Sequence, residues 1–113
     1  MKSTVRDVAG VRILDLEGKI TIGGGDVQLR QLVEESLKGG HTKILLNLKG
    51  VSHIDSSGIG EMVGCYTTVA RRGGTMKLVN LPSKINDLLQ VTQLITVFDV
   101  FDNEPEALAS FRE

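Results

Sequence analysis

The sequence has 113 residues, 13 basic and 14 acidic, with a formal net charge of −1; 41% of residues are hydrophobic and 24% charged. These proportions suit one globular domain over residues 1–113 and exclude extensive disorder. Aromatics make up only 4%, and the longest basic cluster, Arg71-Arg72, reads as the solvated end of a helix, so no nucleic-acid partner is expected.

The single cysteine, Cys65, excludes an intrachain disulfide framework and suits a reducing cytoplasm. Asp7, Arg12 and Asp15 interrupt the N-terminal region where a signal peptide would need apolar residues. No apolar run approaches the ~20 residues of a membrane helix. A cytoplasmic location without direct membrane contact is therefore expected.

Thr4 to Ala9 and Val11 to Glu17 read as two strands joined in a tight hairpin at Gly10. Charged residues separate Val5 from Val8, which marks the first strand as an edge. The second carries Val11, Ile13, Leu14 and Leu16 and ends at Gly18. Lys19-Ile20-Thr21-Ile22 then leads into Gly23-Gly24-Gly25, a run that orders at high entropic cost and reads as a flexible loop. Asp26 is a candidate N-cap. Leu29, Leu32, Val33 and Leu37 recur at helical spacing, giving a helix from about Asp26 to Lys38 that stops at Gly39-Gly40.

Lys43 to Leu48 is the most apolar short run and suits a strand covered on both faces. It leads through Val51 and Ile54 into Asp55-Ser56-Ser57-Gly58. Ile59, Met62, Val63, Tyr66, Val69 and Ala70 mark one face of a second helix, which ends before Gly73-Gly74. Met76 to Asn80 reads as a strand. Pro82 fits the first turn of a third helix, with Ile85, Leu88 and Leu89 as its apolar face. Thr96 to Phe98 reads as a short strand. Asn103 and Pro105 open a last helix bearing Ala107, Leu108 and Phe111. The order ββαβαβαβα points to an α/β fold, with a mixed, mainly parallel sheet of about five strands and about four helices.

Functional information concentrates between Lys43 and Gly60. A buried strand runs out at its carboxyl end, where open α/β sheets place their sites. The turn there holds a carboxylate, Asp55, and two hydroxyls, Ser56 and Ser57, followed by Gly58, which admits another backbone closely. A helix N-terminus offers unpaired N–H groups and a partial positive charge. Phosphorylating a serine there adds about −1.5 to −2 charges, enough to break a contact in which the turn docks onto a partner. The same residues also make an ordinary capping turn. One serine can cap while the other is modified.

The run Ile44-Leu45-Leu46-Asn47-Leu48, then Val51, then Ile54-Asp55-Ser56-Ser57-Gly58-Ile59-Gly60, and Gly73-Gly74, resembles the STAS domains of bacterial anti-sigma-factor antagonists. The likeness spans nearly the whole chain. It implies a STAS-like fold and a non-catalytic role, without cofactor or metal. It implies phosphorylation at Ser56, which leaves Ser57 to cap the helix, and a partner-binding surface of Asp55, Ser56, Ser57, Gly58 and Ile59. In this family the unphosphorylated antagonist binds an anti-sigma factor that is also a GHKL-type serine kinase, phosphorylation releases it, and a PP2C-type phosphatase restores it. This chain departs from the pattern in the loop after the second strand: where the family usually carries an acidic residue, it reads Gly18-Lys19-Ile20-Thr21. That departure keeps a second reading open, a STAS interaction or scaffold subunit of a sensory or transporter complex without a phospho-switch.

A serine hydrolase is a poor fit, because the turn lacks a Gly-x-Ser-x-Gly elbow. His41, His53 and Cys65 lack metal-ligand spacing. His41 reads as solvated and His53 as a surface residue near the site. Cys65 and Tyr66 read as packed side chains. The glycine run lacks the Gly-Lys-Ser/Thr ending of a phosphate-binding loop.

Overall fold

A computed structural model describes residues 1–112. One five-stranded sheet organises the chain, in the order β1-β2-β3-β4-β5. β1 (Lys2–Val8) and β2 (Val11–Ile20) are antiparallel. β3 (Lys43–Ile54), β4 (Thr75–Val79) and β5 (Val100–Phe101) continue the sheet in parallel from β2. α1 (Gly25–Lys38), α2 (Ser56–Arg71), α3 (Ser83–Val91) and α4 (Glu104–Ser110) complete the order ββαβαβαβα. The expected fold class and element order are therefore the observed ones. β1 is an edge strand, as β5 is on the other side, and its hairpin turns through Ala9 and Gly10, both with positive φ (52° and 79°).

Alternation along the strands sends side chains to two unequal faces. On one face Leu14, Leu16, Ile44, Leu46 and Leu48 pack with Leu29 and Val33 of α1, Met62 and Val69 of α2, and Leu89 of α3. On the other, Val11, Ile13, Leu45 and Val79 meet Ala107 and Leu108 of α4 and Phe111 just after it, with Val8 and Phe101 at the margin. β3 thus has both faces covered over Ile44–Leu46, which explains its unbroken apolar run. Truncating Leu46, fully buried, to alanine costs about 2–5 kcal/mol at such a site.

Polar clamps fasten α4. Arg6 donates to Asp15 at 2.6 and 2.9 Å and to Glu104 at 2.6 and 3.3 Å. The Asp15 hydrogen bond, then that of Glu104, raises the Arg6 pKa, and Arg6 in turn lowers that of Asp15. Buried Lys77 donates to Ser110 Oγ at 2.9 Å and lies 4.8 Å from the Phe111 ring centroid. Asn103 caps α4, accepting from the Glu106 N–H at 3.0 Å, as its position before Pro105 suggests.

Several expectations need correction. β2 does not end at Gly18: that glycine takes φ +99° and the strand runs on to Ile20, with register shifts that carry it past the irregularity. β3 likewise reaches Ile54. The strand expected at Thr96 to Phe98 is absent; Leu94–Thr96 is a 3-10 turn, and pairing with β4 falls to Val100–Phe101. The apolar side chains of Leu94, Ile95, Val97 and Phe98 pack into the main core instead. On α2 the buried stripe is Gly58, Met62, Cys65 and Val69, while Ala70 is exposed. Tyr66 is half-buried, edge-on to Phe98 at 5.5 Å between ring centroids.

Cys65 is buried between α1 and α2, and that burial pushes its thiol up to about 12. His41 is half-buried, 3.8 Å from Asp7, and not fully solvated.

Candidate functional site

The site forms where β2 and β3 run past the rest of the sheet. β3 pairs with β4 only as far as Asn47, yet its pairing with β2 continues to Ile54. The two strands project together, with Lys19 beside His53 and Ile20 beside Ile54. One residue, Asp55, separates Ile54 from the first residue of α2, Ser56.

Two glycines allow two helices to start against the end of β2. A Cβ on Gly58 would lie 2.0 Å from the Ile20 carbonyl oxygen and 2.8 Å from Ile54 Cγ1. A Cβ on Gly25 would lie 2.0 Å from the Lys19 carbonyl oxygen. Real side chains cannot occupy these distances, so glycine is required at both helix starts for close backbone approach. Gly25 therefore belongs to α1 and not to a loop. Asp26 is not its N-cap: Gly24 holds that position and supplies no side chain. Asp26 instead sits in the first turn, where its Oδ1 accepts from the N–H groups of Gly24 (3.2 Å) and Val27 (2.8 Å).

Asp55 performs two tasks. Its extended backbone (φ −110°, ψ −175°) is that of an N-cap, and its Oδ1 accepts from the Gly58 N–H at 2.8 Å. Its Oδ2 reaches across the chain to accept from the Ile22 N–H at 2.9 Å. The Ile22 N–H, followed by that of Gly58, holds the Asp55 carboxyl below the usual carboxylate range, because both donors favour the ionised form. One carboxylate thus caps α2 and ties down the loop that precedes α1. The capping role assigned to Ser57 belongs to Asp55.

The loop from Thr21 to Gly24, expected to be flexible, is hydrogen-bonded along its length. The Thr21 carbonyl accepts from the Asp26 N–H at 3.2 Å, the Ile22 N–H donates to Asp55, and the Gly24 carbonyl accepts from the Gln28 N–H at 2.9 Å. Sequence reasoning missed the Asp55–Ile22 link. The residues lie 33 positions apart, and no local pattern signals the pairing.

The five expected site residues are contiguous in space but differ in exposure. Ser56 is exposed, Asp55, Ser57 and Ile59 are half-buried, and Gly58 is buried under Ile20. Because Asp55 supplies the cap, the Ser56 hydroxyl is left facing solvent at the positive end of a 16-residue helix. Lys19 is exposed next to His53, and His53 Nδ1 lies 3.1 Å from Ser52 Oγ. No group of three or more His, Cys, Asp and Glu side chains among the described residues could hold a metal ion. No helix among them is long and apolar enough to cross a membrane.

A match to the STAS domain family covers residues 2–107. The chain belongs to the STAS domain family. The Anti-sigma F factor antagonist of Paenibacillus polymyxa is 30% identical over 99 residues, spanning 88% of this STAS chain and 85% of that protein. A solved candidate anti-sigma factor antagonist from Thermotoga maritima superposes with a TM-score of 0.90 at 27% identity, over 98% of this chain and 95% of that one. The Bacillus cell fate determinant SpoIIAA, solved in its phosphorylated form, shares the fold at 21% identity and a TM-score of 0.75, over 97% and 99% of the two chains. The strand-to-helix turn at Asp55 thus lies on a STAS scaffold.

Proposed function

We propose that this STAS domain is an anti-sigma factor antagonist: a non-catalytic binding module that engages an anti-sigma factor with GHKL-type serine kinase activity and is released when Ser56 is phosphorylated. A PP2C-type phosphatase resets it, in the cytoplasm. The observation that carries this reading is the division of labour at the α2 start. Asp55 takes the capping duty, so the Ser56 hydroxyl is both exposed and unneeded for the fold. A phosphate there adds a bulky dianion to a turn that is otherwise small and flat. The names of the Paenibacillus relative and of the phosphorylated Bacillus neighbour point the same way.

The docking surface in this reading is Asp55, Ser56, Ser57, Gly58 and Ile59. Asp55 orders it, the serines and Gly58 keep it low, and Ile59 adds apolar area. Intact-mass measurement of protein incubated with ATP and its cognate kinase tests the proposal. One added phosphate is expected on the wild type and none on Ser56→Ala, while Ser56→Asp should lose kinase binding. Lys19, exposed at the same end, favours the second reading, a STAS scaffold subunit without a switch. Ser56→Asp binding as tightly as wild type would decide for the scaffold.

A further inference from the structure

The loop before α1 presents an apolar side chain at the site, and no feature of the fold uses it. Ile22 is 74% exposed. Its backbone, however, is fixed: the N–H donates to Asp55 Oδ2 at 2.9 Å, one residue from Ser56. On either side, Thr21 O accepts from Asp26 and Gly24 N–H donates to Asp26 Oδ1. A lone exposed isoleucine is unremarkable on a surface. One held by its own backbone against the capping carboxylate of a candidate docking turn has already lost the loop entropy that binding would otherwise cost.

Charge narrows what it meets. Asp55 and Asp26 accept backbone N–H groups, and such hydrogen bonds favour the charged carboxylate. Exposed Lys19, at the end of β2 and beside His53, makes no ion pair among the described residues. A partner surface complementary to this end is therefore an apolar recess with an acidic group placed opposite Lys19, away from Asp55.

We infer that Ile22 is an apolar anchor that inserts into such a recess on the anti-sigma factor, with Lys19 pairing with an acidic group on its rim. The inference rests on the antagonist reading above. It adds a specificity-determining residue outside the serine turn, brought to it by Asp55. Substitution of the side chain leaves the N–H donor in place, so the loop anchorage survives in any non-proline variant.

The probe is the set of GHKL-type anti-sigma kinases of the source organism, each purified and titrated calorimetrically against unphosphorylated protein. With the kinase that binds wild type, Ile22→Ser should weaken affinity at least tenfold. Val91→Ser is the control: Val91 is 83% exposed at the far end of α3, and its loss should change affinity less than twofold. Ile22→Thr, which keeps the β-branched shape, guards against misfolding and should fall between wild type and Ile22→Ser. Lys19→Glu should weaken binding at low salt, with the difference shrinking at about 0.5 M salt. A loss below fivefold for a folded Ile22→Ser overturns the anchor while leaving the antagonist reading intact. No binding by any kinase overturns the antagonist reading, and the anchor with it.

Discussion

The two helices that begin at the end of β2 start differently. α1 and α2 each press a glycine onto a β2 carbonyl, Gly25 on Lys19 and Gly58 on Ile20, at the same 2.0 Å to a would-be Cβ. Yet α1 has a glycine as N-cap and no side-chain cap of its own, whereas α2 is capped by Asp55. The loop into α1 borrows the second oxygen of that same carboxylate through Ile22. Asp26 adds only local contacts, to Gly24 and Val27. Close packing is therefore shared by the two starts, and the start whose cap bridges both is the one where a serine is left exposed.

The largest effect should come from removing the space. Gly58→Ala drives a methyl into the Ile20 carbonyl and the Ile54 side chain, from a buried position between two strands. Overpacking of this kind costs about 3 kcal/mol, read as a drop in the urea midpoint. Gly25→Ala meets the Lys19 carbonyl and Ile20 Cα, backbone atoms that give little, so a loss of the same order is expected. A loss less than half that of Gly58→Ala would mean that the α1 start can shift away from β2.

Asp55 sharpens the comparison next. Asp55→Ala removes both hydrogen bonds at once, so amide exchange at Ile22 and Gly58 should accelerate together, although one lies before α1 and the other in α2. Protection lost at Gly58 alone would refute the bridge. The carboxyl pKa is lowered in the fold, so its contribution is complete above the ordinary carboxylate value of about 4 and is lost as pH falls through the lower, folded value. Wild type should therefore lose stability more steeply than Asp55→Asn between about pH 5 and pH 3, and the Asp55 carboxyl should titrate below about 4 by NMR.

Ser56 should show the smallest stability effect. With its side chain exposed and the cap supplied elsewhere, Ser56→Ala should move stability by no more than about 0.5 kcal/mol. A loss well beyond that would mean that the hydroxyl helps hold the turn, and that modifying it would disturb the fold as well as the surface.

Much of this architecture is legible in the residues themselves. The apolar run Ile44-Leu45-Leu46 specifies a strand buried on both faces. The Leu29, Val33, Leu37 spacing specifies α1, and Asn103 before Pro105 announces its cap. Elsewhere tertiary demand overrides local pattern. The run from Leu94 to Phe98 has strand-like composition, but its side chains are spent filling the main core, and two less conspicuous residues, Val100 and Phe101, complete the sheet. At the site, sequence locates the turn but not its wiring. Asp55 and Ser57 are both good caps by residue type, and only the backbone geometry decides between them. Gly23-Gly24-Gly25 suggests slack, whereas the last of the three is needed because a strand carbonyl lies against it.

The burial of Cys65 between α1 and α2 gives these two helices a clock. With the thiol buried and pushed up to about 12, little reactive thiolate forms near neutral pH in the closed fold. Alkylation by a neutral maleimide must then wait for α1 and α2 to part, and its rate reports how often they do. Gly25→Ala and Gly58→Ala each disturb one of the two helices at its root, so both should quicken labelling, the logarithm of the rate rising with the stability they remove. A phosphomimetic at Ser56 that left the rate untouched would show that the switch acts on the surface while the helices beneath it stay shut.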